Sequence, residues 1–447
     1  MFQGCLGCLA VIFAGLLNRI MLSELGFPGL LVGGALAFEQ FMAPSRILFG
    51  QISDAHPLAG RHRTPYIWLG TSLFTGLAVL SIPLIFRLEE AFQGGSGWSI
   101  GLGIAALCGL FAAYGLAVSL ATTPYLALVI DLTEEQERPR AVGLIWCLLT
   151  VGIVAGAIAT AVSLRGLDGV SDPAVLQPVL LQFMGRVSLV VLVLTLCATW
   201  GVEPPAASRQ VPLAAERRDD AITLRQAWAL ITSSRQVLVF FGFLLAFTLA
   251  LFLQDPILES YGAAVFGMPI AATASLSGFW GGGTLVGLLL AGFWLVPQLG
   301  KFGCARLGCQ LILAFLLLLV LVGVTGRSEL LCLVLIWFGV ASGIATNSAL
   351  VLMLDLTLPE AAGTFVGVWG LAQALSRALG KLLGGGLLDL ARLLGPGAPP
   401  YAHFAAVFLV EAGIAGLALL LLAKVNLRQF REDTGRSLDR VLAMELG

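Results

Sequence analysis

Apolar residues fall in long unbroken runs, and polar residues gather in the intervals between them. Twelve runs are read, at about 4–22, 28–52, 65–86, 100–127, 141–163, 178–201, 236–259, 270–296, 303–324, 329–353, 363–391 and 403–424. A helix of about 20 apolar residues crosses ~30 Å of hydrocarbon. Segments in lipid must satisfy their own backbone hydrogen bonds, which leaves helices and closed barrels. The runs do not alternate, so a barrel is excluded. The pattern predicts an all-α polytopic membrane protein with 12 transmembrane helices.

Composition agrees. Only 11% of residues are charged and 58% are apolar, with a mean hydropathy of +0.95; soluble domains carry roughly 25% charge. The net charge of −1 points to no nucleic-acid partner. Cys5 and Cys8 form a C-x-x-C without a second cysteine pair or histidine, and read as small apolar filler. The first run begins almost at Met1, without a basic segment or a small-residue cleavage site, and reads as a retained span.

The longest polar interval, 203–235, holds Pro204, Pro205, Pro212 and Glu216-Arg217-Arg218-Asp219-Asp220. It divides the chain into an N-terminal bundle, 1–202, and a C-terminal bundle, 236–424. A polar tail, 425–447, carries Phe430, Leu438, Val441 and Leu442 among charges, as a helix lying on the membrane surface would. Basic residues are lopsided: sixteen lie in the loops that share a side with both termini, against Arg87, Arg165, Arg327 and Arg392 opposite. That bias predicts cytoplasmic termini.

The two halves repeat. Residues 121–133, Ala-Thr-Thr-Pro-Tyr-Leu-Ala-Leu-Val-Ile-Asp-Leu-Thr, return at 345–357 as Ala-Thr-Asn-Ser-Ala-Leu-Val-Leu-Met-Leu-Asp-Leu-Thr, and the register persists through Gly143 and Gly367. Parallel six-helix repeats are the plan of major-facilitator transporters. The interval from Gly50 through Asp54, Arg61 and Arg63 to Tyr66 resembles that family's loop signature, with its basic part displaced by a short insertion. Gly50 permits close helix contact, Asp54 caps or pairs, and the arginines offer charge-assisted bonds. With Asp131, Arg138, Arg140 and Asp355 they form a candidate cytoplasmic gating network; N-capping of the following helices is the plainer reading of the two aspartates.

Polar residues inside apolar runs are the candidate site, since each charge at mid-membrane is costly. Asn18 and Arg19 lie in the first run; Glu39, Gln40 and Arg46 in the second, with Glu39 and Arg46 two turns apart on one face. Asn347 lies in the tenth, and Gln373, Arg377 and Lys381 form a stripe in the eleventh. Glu411 and His403 belong to the last. Glu24, Gln254, Asp255, Glu259 and Tyr261 are read as an acidic outer mouth, next to a helix broken by Pro256. Pairs such as Gly152/Gly156, Gly283/Gly287 and Gly380/Gly384 predict closely packed helices. No Walker A, H-E-x-x-H or G-x-S-x-G is present, so neither an enzyme nor a metal or nucleotide cofactor is expected.

Segments 17–28, 43–50, 53–61 and 63–68, with Gln254-Asp255, Glu259 and Tyr261-Gly262, together resemble the PucC/LhaA group, the bacteriochlorophyll-delivery branch of the major facilitators. Ser260 departs from it, standing where the group often has proline. The resemblance implies a protein that helps assemble chlorophyll-binding antenna or photosystem proteins by binding and delivering chlorophyll or bacteriochlorophyll as cargo. It implies membrane lipids, antenna or photosystem subunits and pigment-synthesis enzymes as partners, and a thylakoid or intracytoplasmic photosynthetic membrane as location. Asn18, Glu39, Gln40, Asn347 and Gln373 are then candidate ligands for the pigment magnesium. Two other readings stand beside it: a proton-coupled carrier of a glycoside-like solute, and a non-transporting scaffold for antenna helices.

Overall fold

The structure is a computed structural model and describes residues 1–133, 138–165, 172–203, 235–355 and 362–425. Among these residues the regular elements are helices, apart from one antiparallel bridge between Leu58 and Arg61. In chain order they are α1 (Phe2–Glu24, with two π-helical turns), α2 (Gly29–Phe41), α3 (Ser45–Ala55), α4 (Thr64–Gly94), α5 (Gly97–Leu132), α6 (Arg138–Ser163) and α7 (Pro173–Thr199). Then come α8 (Arg235–Phe252), α9 (Leu258–Phe266), α10 (Ile270–Leu290), α11 (Val296–Thr325), α12 (Ser328–Asp355), α13 (Ala362–Leu394) and α14 (Pro400–Ala423).

The chain is an all-α polytopic membrane protein. Where the sequence suggests 12 spans, seven stretches among the described residues are long and apolar enough to cross a membrane, and three more are apolar but shorter. The differences have local causes. Pro44 lacks an amide hydrogen and splits the second run into α2 and α3, so Glu39 and Arg46 stand on separate helices instead of one continuous face. Pro256 splits the seventh run into α8 and α9, as the sequence suggests. The eighth and ninth runs merge into one stretch, Ile270–Thr325. A π-helical turn at Ala291–Leu295 and Gly300, in the left-handed region at φ 71°, replace the expected loop between them. Helix α13 is as long as its neighbours, but Arg377, Lys381, Asp389 and Arg392 dilute its apolar character.

Glycines set the closest helix contacts. Gly152 of α6 lies against Gly4 of α1, and Gly283 and Gly287 of α10 lie against the backbone of Ile336 and Val340 in α12. A Cβ on Gly283 would stand 2.1 Å from the Ile336 carbonyl oxygen, so only glycine allows this approach. The exterior of the bundle is apolar, with exposed Leu189, Val190 and Val193 on α7 and Leu417 and Leu420 on α14. A surface of that kind suits acyl chains.

Helices from the two halves of the chain meet along α1 with α9, α2 with α13, and α6 with α10. Gly29 and Gly33 of α2 touch the α13 backbone at Gly385 and Lys381, while Gly278 and Gly281 of α10 face Ala157 and Ile153 of α6. These contacts lie toward one end of the bundle, called here the Gly29 end. The opposite end holds Arg63.

Candidate functional site

At the Arg63 end, α4 begins at Thr64 and its first amides need acceptors. The Glu203 carboxylate, only 3% exposed, supplies them. It accepts from the amides of His62 (2.8 Å), Arg63 (2.9 and 3.1 Å) and Thr64 (2.6 Å). The Arg63 guanidinium donates to Ser53 Oγ (2.7 Å) and pairs with Asp131 (3.2 Å). Tyr66 donates to the His56 carbonyl and Trp68 to Thr199 Oγ1. The loop between α3 and α4 is thus bound to the ends of α5 and α7. Gly50 lies beside Thr123 with room for a Cβ at ordinary contact distance. Arg61 is half-buried and its backbone pairs with Leu58. Helix α5 runs on to Leu132, which places the Asp131 carboxylate beside Arg63. The side chains of Asp54, Arg138, Arg140 and Asp355, the 204–234 part of the linker and the 426–447 tail lie outside the described residues.

The Gly29 end is closed by polar contacts between the halves. Arg19, 5% exposed, donates to Thr273 Oγ1 (2.8 Å) and to the Met268 carbonyl (3.3 Å) in the second half of the chain. Its other nitrogens hold Glu24 (2.9 and 3.2 Å). Five residues separate Arg19 and Glu24, a spacing that diverges on an α-helix and converges on the wider π turn Ile20–Glu24. Ser23 donates to Ser260 (3.0 Å), and Asp389 accepts from the Gly29 and Leu30 amides. Glu259 is buried against Gly15, with Ser277 donating to it at 3.4 Å. Tyr261 is buried and donates to the Leu319 carbonyl (2.7 Å). Of the residues read as an acidic outer mouth, Glu24 and Glu259 lie in a packed seam between α1 and α9, and Asp255 is exposed.

Between the ends, Glu39, Gln40, Gln373 and Arg377 are half-buried and Arg46 is exposed. Gln40 donates to Glu39 (3.3 Å). Arg46 and Arg377 are both within electrostatic range of Glu39. Arg377 lies over the Phe252 ring, 4.4 Å from its centroid, and its buried Nε has no hydrogen-bond partner. Lys381 is 3.8 Å from Asp255, on the turn that breaks the seventh run. Arg377 and Lys381 of α13 therefore face that break. Gln254 is buried, and its backbone N–H donates to Glu411 (3.2 Å). Asn347 is occupied by the Leu288 carbonyl (2.9 Å) and stands apart from this cluster. Asn18, 1% exposed, has an unpartnered Oδ1.

The arrangement offers a mixed-charge centre, with donors on Arg377 and Arg46 and acceptors on Glu39 and the glutamines, inside an otherwise apolar bundle. Among the described residues no group of three or more His, Cys, Asp or Glu could hold a metal ion. Sequence reasoning missed Glu203, Asp389, Thr273 and Arg186. The last had a signal: setting aside the basic residues in loops leaves Arg19, Arg46, Arg186, Arg377 and Lys381 inside apolar runs.

Residues 16–430 match the family described as PUCC protein. The chain is 29% identical to Protein PucC of Cereibacter sphaeroides over 432 residues, 94% of this chain and 90% of that protein. It is 31% identical to the bacteriochlorophyll synthase 44.5 kDa chain of Rhodobacter capsulatus, over 92% of each. Among solved structures, a bacterial homologue of the iron transporter ferroportin in its inward-facing state shares the fold. The TM-score is 0.65 at 15% identity, covering 95% of this chain and 96% of that one. Its outward-facing state gives 0.54.

Proposed function

This chain belongs to the PUCC protein family, and on that premise we propose that it binds chlorophyll or bacteriochlorophyll and delivers it to antenna or photosystem proteins during their assembly. The observation that carries the proposal is the match over residues 16–430, with relatives named for PucC and for a chain of bacteriochlorophyll synthase. The latter name also favours a pigment-synthesis enzyme as a partner on the supply side. In this reading the fold is the major-facilitator plan of 12 spans in two bundles, 1–202 and 236–424, joined by 203–235. The location is a photosynthetic membrane, with both termini and the Arg63 end cytoplasmic. The contacts at the Gly29 end then make this an inward-open state.

The central cluster suits such a cargo. A chlorophyll ring carries carbonyl oxygens that accept from Arg377, and a magnesium that takes an oxygen ligand from Glu39, Gln40 or Gln373. The Phe252 ring beside Arg377 offers a face for stacking. Asn347 and Asn18 are poorer ligand candidates, the first held by Leu288 and the second enclosed. The Arg63, Ser53, Asp131 and Glu203 network ties the α3–α4 loop to the bundle, so that α2 and α13 can part at the other end without loosening it. Purification from the native membrane in mild detergent tests the function. Red-region absorption at about one pigment per chain is expected, and a colourless preparation overturns the proposal.

A second reading, a proton-coupled solute carrier, is favoured by Glu39 lying within range of both Arg46 and Arg377. Carboxylates so placed exchange protons with a gating motion. Solute-driven proton uptake into vesicles, abolished by Glu39→Gln, distinguishes it.

A further inference from the structure

Arg186 occupies the midpoint of α7 (Pro173–Thr199), about 20 Å from either end at 1.5 Å per residue. It is exposed, and it shares a helix stripe with exposed Val190 and Val193. Among the described residues its guanidinium has no hydrogen-bond or ion-pair partner. A cation at that depth facing lipid is costly and calls for an acceptor that comes to it. A cavity of about 310 Å³ lies beside it, lined by Arg186 with Gln182, Ser163 and Cys8 and by apolar Phe183 and Val190. The volume is at the lower limit of the ~300–1,000 Å³ typical of small-molecule sites. Its walls come from α1, α6 and α7, and neither Glu39 nor Arg377 lines it.

We infer that this groove is a lateral pigment site, reached from the bilayer. One carbonyl-bearing edge of a chlorophyll-type ring accepts hydrogen bonds from Arg186 and Gln182, and the rest of the molecule lies against the apolar exterior of α7. Charge complementarity selects the occupant: the donors sit at acyl-chain depth, below phosphate headgroups, so the acceptor must belong to a mostly apolar molecule. This rests on the pigment reading of the proposed function, and moves the point of capture from the centre of the bundle to its flank.

The test titrates bacteriochlorophyll a into the full-length protein in lipid nanodiscs, with red-region absorbance and induced circular dichroism as readouts. Arg186→Leu is expected to weaken binding at least tenfold and Arg186→Lys less, while Arg327→Leu, in a loop, leaves it unchanged. Site-resolved maleimide labelling of Cys8 in the wild type is expected to slow severalfold when pigment is bound. Wild-type binding with Arg186→Leu binding equally well, or Cys8 labelling indifferent to bound pigment, overturns the lateral site and leaves the pigment reading intact. No binding by the wild type overturns both.

Discussion

Asp389 caps the helix that begins at Gly29, one carboxylate oxygen 2.8 Å from the Gly29 amide and the other 2.7 Å from that of Leu30. A side chain from the second half of the chain therefore completes a helix of the first. Loss of a helix cap costs about 0.5–2 kcal/mol, and 1.4 kcal/mol is a tenfold change in an equilibrium. In Asp389→Ala the Gly29 end opens more often. A cysteine placed at Gln373 is then labelled roughly tenfold faster by a membrane-impermeant reagent applied from that side. Equal rates in the two backgrounds would show that the cap does not hold the halves together.

Arg19 and Glu24 form a nearly buried ion pair that also reaches Thr273. Removing one member of such a pair strands a charge and costs about 3–5 kcal/mol, whereas removing both is much milder. Arg19→Leu should lower the thermal transition of the detergent-solubilised protein more than the Arg19→Leu, Glu24→Leu double variant does. A double variant worse than the single one contradicts the assignment.

Glu203 serves three backbone amides at the start of α4. Hydrogen bonds to a charged group contribute about 1.5–3 kcal/mol. Glu203→Ala is expected to lose about 2 kcal/mol or more of stability and Glu203→Gln clearly less, read from chemical denaturation in micelles. The prediction fails if alanine is tolerated as well as glutamine.

Neighbouring glycines separate packing from composition. A Cβ on Gly282 meets nothing within 4 Å, while one on Gly283 stands 2.1 Å from a carbonyl oxygen. Gly282→Ala should be silent, and Gly283→Ala should cost about 1–3 kcal/mol by overpacking. Fluorescence-detected size exclusion after a heating series measures both; similar losses would refute the close α10–α12 approach.

The sequence made the α-helical membrane architecture legible because hydrocarbon tolerates so few alternatives. Breaks at Pro44 and Pro256 were equally open to reading, though only the second was taken, since Pro44 sits in a run whose apolar character continues on both sides. The α13 stripe was visible from four-residue spacing, and two of its members, Arg377 and Lys381, meet the ring of Phe252 and Asp255. Glu203 was hidden because it stands at the first polar position after an apolar run and looks like the start of a linker. The pairing of Arg19 with Glu24 was hidden by periodicity itself: a 3.6-residue repeat separates residues five apart, and nothing in the letters announces a π turn. The bond from Asn347 to the Leu288 carbonyl was not legible, because a polar residue in a helix is equally useful to a neighbouring carbonyl.

The wide turns of α1 bear on how this chain tolerates lost residues. A π turn holds one residue more than an α turn, so a deletion within 20–23 can be absorbed by reversion to the ordinary winding, which leaves Arg19 and Glu24 four apart and still facing each other and keeps the following chain in step. The same deletion within α13, between Gln373 and Arg377, finds no slack: everything beyond it swings by about 100°, and Arg377 and Lys381 turn away from Phe252 and Asp255 together. Over long divergence, length changes should collect in the first helix and be purged from the eleventh run.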